Sequence, residues 1–534
     1  DDVESRGLGD VYKRQDMRII AGLRYSIKTR YIDKLYLPDY VFVQDASMEL
    51  ITSLKENNVP GFEVTVSYTR QYHTNLAAHL LGYTGKMNAE EYTTYKTQGY
   101  PMSATVGKDG AELAFEKYLH GTNGTAIVTK NASGTVTGTT YTKEPEPGDQ
   151  VSLTIDLDLQ AAAEQSLTRG IENMKSKSTE TSDAVGGGAL VAVDVATGQP
   201  LAIANYPTFD LQTLFQSQES YDAVKDAENE PLFNRALLGQ YSPGSTFKPC
   251  TATALLAEGI ISPTRTLKTE GQFTKYIDDG YAPECWIYST YKYTHGEINV
   301  VQAITYSCNY FFYEVGNRLG IEKIDEYSRI YGLGEATGIE LPESTGILAG
   351  PAYSESTGNV WNPGNTLQAA IGQSDNMFTP LQLSVYISTL LNGGTRYRAH
   401  MLRSVHAYPS GEVISETAPE VMSAVELDAG IVATVKSAMK DVVESGSAAR
   451  IFRGYDITVG GKTGTAQVGG DRSDNALFVG FAPYDSPQLV VTVAIEQGAN
   501  GTDAAYTAKA LYDTYLKGQK YEKRYTDTET EAAQ

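Results

Sequence analysis

The sequence contains few cysteines, no long apolar run and a shortage of basic residues. Three cysteines among 534 residues cannot form a disulfide framework. No stretch of about 18 consecutive apolar residues occurs, so the chain as given is not expected to span a membrane. Lysine and arginine number 43 against 65 aspartates and glutamates. The resulting net charge of −22 argues against a nucleic-acid partner, because phosphate binding requires a basic face.

Two common kinds of catalytic site are also absent from the sequence. The six histidines form neither an H-x-x-x-H pattern nor a Cys/His cluster along the chain, so no metal and no cofactor is expected. No G-x-S-x-G nucleophile elbow occurs, which argues against a Ser-His-Asp hydrolase. Residues 460–463 resemble the end of a phosphate loop, but Asp456 stands where that loop requires glycine.

The length leaves room for two or three domains. A segment rich in Thr, Gly and Val ends in Glu-Pro-Glu-Pro-Gly at residue 148, which predicts extended strands followed by a hinge. We therefore predict an N-terminal module over residues 16–148 and a second domain over residues 149–516. Residues 1–15 lack periodicity and are predicted to be a non-native terminus, with an anchor segment expected upstream. Residues 517–534 are polar and are predicted to be a disordered tail.

The second domain is predicted to have strands at both of its ends and helices between them, which indicates one sheet assembled from distant segments in an α+β fold. The predicted strands are residues 151–155, 188–194, 200–205, 476–481 and 488–495. The predicted helices are residues 159–174, 247–257, 300–319, 380–391, 429–444 and 504–516. In the first module we predict strands at residues 40–44 and 62–66 and helices at residues 48–57, 76–81 and 112–119.

Three S-x-x-K patterns could supply a serine nucleophile with a lysine one helical turn away. They begin at Ser245, Ser289 and Ser437. Ser437 is predicted to lie in the middle of a helix, and Ser289 lies in a tyrosine-rich stretch without a helical apolar pattern. Ser245 follows a Ser-Pro-Gly turn, and Pro249 fits only the first turn of a helix. This context favours Ser245 at a helix N-terminus, with Lys248 facing the same side.

One class of serine enzymes that form acyl intermediates combines S-x-x-K, S-x-N and K-T-G in that order. K-T-G occurs once, at residues 462–464. S-x-N occurs three times, at Ser307, Ser374 and Ser473, and the last of these follows K-T-G and breaks the order. The element that ends in Asn309 runs directly into an apolar helix, which favours Ser307 over Ser374.

These residue types suit acyl transfer to a serine. Ser245 is a poor nucleophile unless a neighbouring base takes its proton, and Lys248 can act as that base if its pKa is lowered. A second cation at Lys462 would lower it. Ser307 can relay a proton, since a hydroxyl both donates and accepts, and Asn309 can hold the lysine and bind a substrate amide.

The K-T-G strand is predicted to bind the substrate. The backbone N–H groups of Ser245 and Thr465 would face the developing oxyanion. Gly464 leaves space for a peptide to pair along the strand edge. Lys462 and the hydroxyls of Thr463 and Thr465 suit a terminal carboxylate. Together these features predict acyl transfer from a peptide that ends in a free carboxylate.

With these motifs the sequence resembles the class B penicillin-binding proteins, which are cell-wall D,D-transpeptidases. The resemblance covers nearly all of residues 40–515. It rests on Asn234-Arg235-Ala236, Gly244-Ser245-Thr246-Phe247-Lys248-Pro249, His295-Gly296, Ser307-Cys308-Asn309, Ile371-Gly372-Gln373, Thr379-Pro380-Leu381-Gln382, Gly461-Lys462-Thr463-Gly464-Thr465 and Phe478-Val479-Gly480-Phe481-Ala482-Pro483. Residues 70–72, 79–83 and 107–112 resemble the family's pedestal domain.

The resemblance implies an antiparallel sheet flanked by helices, peptidoglycan stem peptides as donor and acceptor, and covalent inhibition by β-lactam antibiotics. It also implies a membrane glycosyltransferase partner for the pedestal domain and a position on the extracytoplasmic face of the cell membrane. The family's membrane anchor and its Arg-Gly-x-Ile-x-Asp-Arg-Asn-Gly element are not present in this sequence, so we expect the pedestal to be incomplete. We also expect no glycosyltransferase domain before the pedestal, in contrast to the bifunctional class A members.

Two alternative functions compete with transpeptidation. A serine β-lactamase or β-lactam sensor of the same superfamily would share the three motifs. A lactamase needs a deacylation route, however, and no Glu-x-x-Leu-Asn element lies between Ser307 and Lys462. The other alternative is a non-catalytic scaffold in a wall-synthesis complex, and the intact set of catalytic residues argues against it.

Overall fold

A computed structural model describes residues 16–25, 42, 43, 46–57, 62, 64, 70–132, 136–176, 185–469 and 472–518. The chain divides into two compact units, Asp1–Arg70 with Thr84–Val106 and Gln71–Tyr83 with Gly107–Gln534. Residues 1–15, nearly all of the predicted tail and most of the strands predicted at residues 40–44 and 62–66 lie outside the described residues. Among the described helices, none combines the length and the apolar character needed to cross a membrane.

The first unit is described mainly through its helices. They span residues 16–25, Met48–Glu56 and Ala89–Tyr95, and a 3₁₀ turn covers Lys96–Gln98. The Ser47 side chain accepts a hydrogen bond from the backbone N–H of Leu50 and so caps the helix Met48–Glu56. This confirms the helix predicted over residues 48–57. A short strand, Thr84–Lys86, belongs to this unit, and the strand Thr105–Gly107 ends at its border.

The second unit contains the remaining helices and strands. Its α-helices are Ala78–Leu81, Gly110–Ala114, Glu116–Leu119, Leu157–Ser176, Leu211–Leu214, Gln218–Lys225, Lys248–Ala257, Trp286–Tyr291, Val300–Thr305, Asn309–Leu319, Ile321–Ile330, Pro351–Ser356, Pro363–Ala369, Pro380–Leu391, Ala429–Glu444, Ala449–Phe452 and Gly501–Lys517. Its 3₁₀ turns are Gly244–Phe247 and Ile277–Asp279. Its strands are Thr125–Lys130, Val136–Lys143, Gln150–Leu153, Gly188–Asp194, Pro200–Tyr206, Leu267–Lys268, Glu297–Ile298, Thr395–Tyr397, Leu402–His406, Val413–Glu416, Val421–Ala424, Gly460–Ala466, Asn475–Ala482 and Leu489–Ile495.

Five antiparallel strands form the central sheet of this unit. Their order across the sheet is Gly460–Ala466, Asn475–Ala482, Leu489–Ile495, Gly188–Asp194 and Pro200–Tyr206. The two segments that share this sheet, residues 188–206 and 460–495, are therefore far apart in the sequence. This confirms the α+β fold with an antiparallel sheet built from distant segments. The K-T-G strand Gly460–Ala466 stands at one edge of the sheet, so one side of this strand is not paired within it.

Both faces of the central sheet are covered by helices. Along the strand Gly188–Asp194, Leu190 and Ala192 lie in one apolar cluster, and Val191 and Val193 lie in another. This alternation follows from the two-residue period of a strand. The first cluster includes apolar residues of the helices that begin at residues 157 and 501, and the second includes residues of the helix that begins at residue 380. The strand is consequently buried on both faces, and for this reason its sequence is almost entirely apolar.

The two helices predicted near the end of the N-terminal module differ in extent from those in the structure. The helix predicted over residues 76–81 covers only Ala78–Leu81, because Ala77 has a positive φ of 58° and cannot join the helix. The helix predicted over residues 112–119 is instead two short helices, Gly110–Ala114 and Glu116–Leu119. They are divided at Phe115, whose φ of −113° departs from helical geometry.

Candidate active site

Ser245 lies in a 3₁₀ turn that leads directly into an α-helix. The turn spans Gly244–Phe247 and the helix spans Lys248–Ala257, with proline in its first turn as predicted. The backbone N–H of Gly244 donates to the Gly372 carbonyl at 2.8 Å. A Cβ at Gly372 would lie 2.2 Å from the Gly244 carbonyl oxygen, so this close approach of two backbones requires glycine. The contact holds the turn that presents Ser245.

Ser307 lies at a break between two helices. The single helix predicted over residues 300–319 is wrong, since the chain forms Val300–Thr305 and Asn309–Leu319 instead. Ser307 has a φ of 56° and donates its backbone N–H to Ile304 O, while Cys308 donates to Ala303 O. This is a Schellman ending with serine in the left-handed position that glycine usually takes. Such backbone costs roughly 1–3 kcal/mol. The left-handed conformation of Ser307 also ends the helix Val300–Thr305 and changes the direction of the chain at this residue.

A hydrogen-bond network joins Ser245 to the Ser307 element. The Ser307 hydroxyl donates to Ser245 Oγ at 2.9 Å. Lys248 Nζ donates to Ser307 Oγ at 3.1 Å, to Ser307 O at 2.9 Å and to Asn309 Oδ1 at 2.6 Å. All three donors of the Lys248 ammonium group thus have partners on one short segment, which fixes the side chain beside the Ser307 hydroxyl.

Lys462 approaches the same hydroxyl from the edge of the central sheet. Its Nζ donates to Ser307 Oγ at 3.1 Å and to Thr463 O at 3.1 Å. Two lysines from separate elements therefore converge on the Ser307 hydroxyl. A hydroxyl with several such neighbours can accept a proton from one and pass its own to another.

Burial of the two lysines changes their basicity. Lys248 and Lys462 are both 0 % exposed, and removal from water disfavours a charged ammonium group. Burial lowers the pKa of Lys248 to about 8, against a weaker opposing effect of the Cys285 and Cys308 sulfurs. Burial, followed by the charge of Lys248, holds the pKa of Lys462 well below its ordinary value. Near neutral pH the site can hence present an unprotonated amine.

The K-T-G strand runs past the turn that precedes Ser245. A Cβ at Gly464 would lie 2.9 Å from the Pro243 carbonyl oxygen, so this close approach requires glycine. Thr463 is nearly buried, and its Oγ1 lies 2.6 Å from Ser447 Oγ. Thr465 is exposed, and its Oγ1 accepts from the backbone N–H of Gly501 at 3.4 Å.

The competing serine patterns lie in other environments. Ser437 is in the helix Ala429–Glu444, as predicted, and the lysine of its pattern pairs with Glu444 at 3.8 Å. Ser289 lies on the short helix Trp286–Tyr291, which no helical apolar pattern had indicated. The short helix escaped prediction because its residues are large and aromatic and lack an apolar period. Asn376 of the Ser374 element is buried and accepts from Ala349 N at 3.0 Å. The structure joins Ser307, rather than Ser374, to Ser245.

Three residues without a signal in the sequence form a Cys/His cluster next to this site. The ligand atoms of Cys285, His295 and Cys308 all lie within 4.8 Å of one another. The expectation of no Cys/His cluster was based on spacing along the chain, and it is wrong in three dimensions. Cys308 follows the helix break at Ser307, and its Sγ lies 3.9 Å from the Sγ of Cys285, which in turn lies 3.8 Å from His295 Nδ1. Within the described part of the chain, His295 Nε2 is buried without a hydrogen-bond partner. Thiolates and imidazole are preferred zinc ligands, so these three residues could hold such an ion.

Comparison with known proteins agrees with this geometry. Residues 188–515 match the family model of the penicillin binding protein transpeptidase domain, and residues 14–153 match that of the penicillin-binding protein dimerisation domain. The peptidoglycan D,D-transpeptidase MrdA of Acinetobacter baumannii is 33% identical over 489 residues, which are 86% of this chain and 68% of that protein.

The chain belongs to the penicillin-binding protein transpeptidase family. Two solved structures extend the likeness to three dimensions. Pseudomonas aeruginosa PBP2 in complex with WCK 5153 has a TM-score of 0.69 at 29% identity, covering 83% of this chain and 89% of that chain. A chain from a study of polymerization and crosslinking by a peptidoglycan synthase complex has a TM-score of 0.75 at 29% identity, covering 93% and 86% of the two chains. This penicillin-binding protein therefore shares its fold with family members along most of its length.

Proposed function

We propose that this penicillin-binding protein is a peptidoglycan D,D-transpeptidase in which Ser245 forms the acyl-enzyme. The observation that carries the proposal is the convergence of two buried lysines on a hydroxyl that is hydrogen-bonded to Ser245 Oγ at 2.9 Å. A serine beside a relay hydroxyl and an unprotonated amine is equipped for nucleophilic attack. The donor is a stem peptide that ends in D-Ala-D-Ala, and the acceptor is the amine of a second stem peptide.

The first half-reaction forms an ester. Ser245 Oγ attacks the carbonyl carbon of the penultimate residue, and its proton passes through Ser307 to neutral Lys248. The resulting tetrahedral intermediate collapses as its C–N bond breaks. The departing D-Ala amine takes a proton back from the Lys248 ammonium group through the Ser307 hydroxyl. The products are the Ser245 ester and free D-Ala.

The second half-reaction reverses these steps with a different amine. The acceptor amine attacks the ester carbon and gives its proton to Lys248 through Ser307. The new C–N bond is the cross-link, and Ser245 Oγ leaves with a proton returned along the same path. A β-lactam follows only the first half, because its ring opens on Ser245 and the leaving nitrogen stays attached to the acyl group.

The K-T-G strand supplies the substrate-binding side of the proposal. The donor's terminal carboxylate is placed against the hydroxyls of Thr463 and Thr465, which can donate to its oxygens. The unpaired edge of the strand Gly460–Ala466 lets the peptide lie along the sheet. The backbone N–H groups of Ser245 and Thr465 form the oxyanion hole, in which one donor contributes a factor of about 10²–10³ in rate.

The proposal extends to partner and location. We infer that the module over residues 16–148 docks a membrane glycosyltransferase, and that the enzyme works on the extracytoplasmic face of the cell membrane, where strands of peptidoglycan are joined. The match of residues 14–153 to the dimerisation-domain model supports this. The division into residues 16–148 and 149–516 stays a prediction.

Intact-mass spectrometry with benzylpenicillin tests the proposed function. We expect one stable adduct per chain with the mass of the whole antibiotic, because the acyl-enzyme lacks an efficient hydrolytic route. Rapid return to the free mass with product accumulation would instead identify a β-lactamase. No adduct on a folded sample would identify a scaffold. A stem-peptide donor with an acceptor amine should yield a cross-linked product of the summed mass minus one D-Ala.

The pH profile of acylation provides a second test. Because neutral Lys248 is the base, the rate should rise about tenfold per pH unit up to a pKa of about 8 and level off above it. An ordinary lysine would place that limb more than two pH units higher. Stopped-flow measurement of benzylpenicillin acylation from pH 6 to pH 10 checks the profile. If the acylation rate keeps rising up to about pH 10, or does not change with pH, Lys248 is not the base.

A further inference from the structure

Exposed aromatic side chains adjoin the Ser307 element, and the proposed reaction does not use them. Four aromatic residues of the segment 284–306 are 43% exposed or more, namely Trp286, Tyr291, Tyr293 and Tyr306. Tyr306 immediately precedes Ser307, whose hydroxyl donates to Ser245 Oγ at 2.9 Å. Trp286 Nε1 donates to the Tyr306 carbonyl at 3.2 Å. Trp286 is therefore separated from the nucleophile by one residue and two hydrogen bonds.

His295 holds the rings of Trp286 and Tyr306 in place. Its ring stacks on that of Tyr306, with 6.0 Å between the centroids and 6° between the planes. The Trp286 ring meets the His295 ring edge-on, at 5.9 Å and 62°. Both aromatic side chains thus have fixed rings that stay open to solvent. Rigid aromatic rings lose little conformational entropy when a ligand binds, so they make efficient contact surfaces.

The surroundings of these rings favour a neutral ligand with one apolar face. Residues 284–296 include one acid and one lysine, Glu284 and Lys292, and these two pair at 3.4 Å. Thr290 and Thr294 add exposed hydroxyl groups. A neutral sugar ring suits this combination, because its C–H face can stack on an aromatic ring while its hydroxyl and acetamido groups form hydrogen bonds. A peptide rich in carboxylates and amines would find no unpaired lysine or acid on this segment.

The length of the donor peptide limits how far its saccharide can lie from Ser245. In a pentapeptide stem, four residues separate the saccharide from the carbonyl carbon that is attacked. Four extended residues span at most roughly 13–14 Å, so the first sugar must lie within about that radius of the nucleophile. Trp286 Nε1 is inside this radius, since it reaches Ser245 through the contacts with Tyr306 and Ser307.

We propose that Trp286 and Tyr306 form a saccharide subsite, on which a neutral amino sugar of the donor's glycan strand stacks. The inference rests on the proposed function, because it assumes that a stem peptide acylates Ser245. It adds recognition of the glycan to that of the peptide. The enzyme consequently prefers a stem peptide that is attached to its saccharide over a free peptide of the same sequence.

The test uses benzylpenicillin acylation as a reporter and two soluble competitors that differ in the saccharide. One competitor is N-acetylglucosaminyl-N-acetylmuramyl-pentapeptide, and the other is the N-acetylated free pentapeptide. Each slows acylation by occupying the site, which yields an inhibition constant. These constants are measured for the parent, Trp286→Ala, Trp286→Phe and Tyr141→Ala. Tyr141 is the matched control, because it is 55% exposed and lies on the strand Val136–Lys143.

We expect the saccharide to lower the inhibition constant of the parent about tenfold, as the contact area of a well-placed tryptophan allows. Trp286→Ala should remove this gain. It should leave the constant for the free pentapeptide, and the rate of acylation without competitor, within about twofold. Trp286→Phe should keep most of the gain, because a stacking ring remains. Tyr141→Ala should keep all of it.

Each other outcome has a definite meaning. If benzylpenicillin does not acylate the parent, the proposed function itself fails. If the parent is acylated and both competitors have the same inhibition constant, the saccharide subsite is overturned while the proposed function stands. An equal loss with both competitors in Trp286→Ala would also overturn it, since the surface would then bind the peptide. Slower acylation without competitor in both Trp286 variants would indicate a structural role for the residue and overturn the inference too.

Discussion

Ser245→Ala loses the benzylpenicillin adduct completely and lowers transpeptidation roughly 10⁶-fold, the scale on which serine enzymes lose activity without their nucleophile. The reason is chemical, because an alanine methyl group cannot form the ester that both half-reactions require. The fold should persist, since the turn Gly244–Phe247 is held by backbone contacts that do not use the Ser245 side chain. Intact-mass spectrometry measures the adduct, and circular dichroism measures the fold.

The sequence supplies two matched controls for this substitution. Ser289 and Ser437 head the other two S-x-x-K patterns, and their helices contribute no side chain to the hydrogen bonds that join Ser245, Lys248, Lys462 and Ser307. Ser289→Ala and Ser437→Ala should keep the adduct and stay within about twofold of the parent rate, as expected for substitutions that leave the reacting groups unchanged. If the adduct survives in Ser245→Ala and disappears in one of the controls, the serine replaced in that control is the nucleophile and the assignment of Ser245 is wrong.

Lys248→Met is expected to slow acylation of Ser245 by roughly 10²–10⁴-fold, the usual contribution of a general base. Methionine has a similar length and fills the buried space, but it can neither take a proton from Ser307 nor donate to Asn309 Oδ1. The adduct should still form slowly, because Ser245 and the oxyanion hole remain. The ascending limb of the pH profile should disappear in the variant.

Stability separates this chemical effect from a structural one. Lys248 is fully buried, and removing a desolvated ammonium group relieves part of the cost of its burial, so the melting temperature should change by only a few degrees. Lys440→Met is the matched control, since Lys440 closes the S-x-x-K pattern on the helix Ala429–Glu444 and pairs with Glu444 at 3.8 Å. A Lys248→Met variant that acylates within tenfold of the parent would remove Lys248 from the role of base.

Local patterns predicted most of the elements that carry the site. The helix predicted over residues 429–444 has the same bounds in the structure, and the helix after Ser245 begins where Pro249 requires it. Both follow from interactions within a few residues, namely a capping side chain in one case and the proline ring in the other. The strands at residues 188–206 and 475–495 were equally clear, because buried strands are rich in β-branched and apolar residues.

The break at Ser307 was not predictable from the same patterns. Residues 300–319 carry apolar side chains at helical spacing on both sides of the break, so periodicity favours one continuous helix. A serine in a left-handed conformation is unfavourable in isolation. It persists here because the two lysines and Ser245 hold its hydroxyl and carbonyl in place, and those contacts come from three segments distant in sequence.

The sequence by itself determined the helix start that carries Ser245 and Lys248, the K-T-G strand and the α+β class, since each depends on residues close together along the chain. Only the tertiary structure decided between Ser307 and Ser374, brought Cys285 and His295 to Cys308, and placed Ser447 against Thr463. The physical reason is the separation along the chain over which each kind of interaction acts. Caps, turns and periodicity act over a few residues, whereas these contacts join residues 10 to 62 positions apart and exist only once the sheet and its helices have packed.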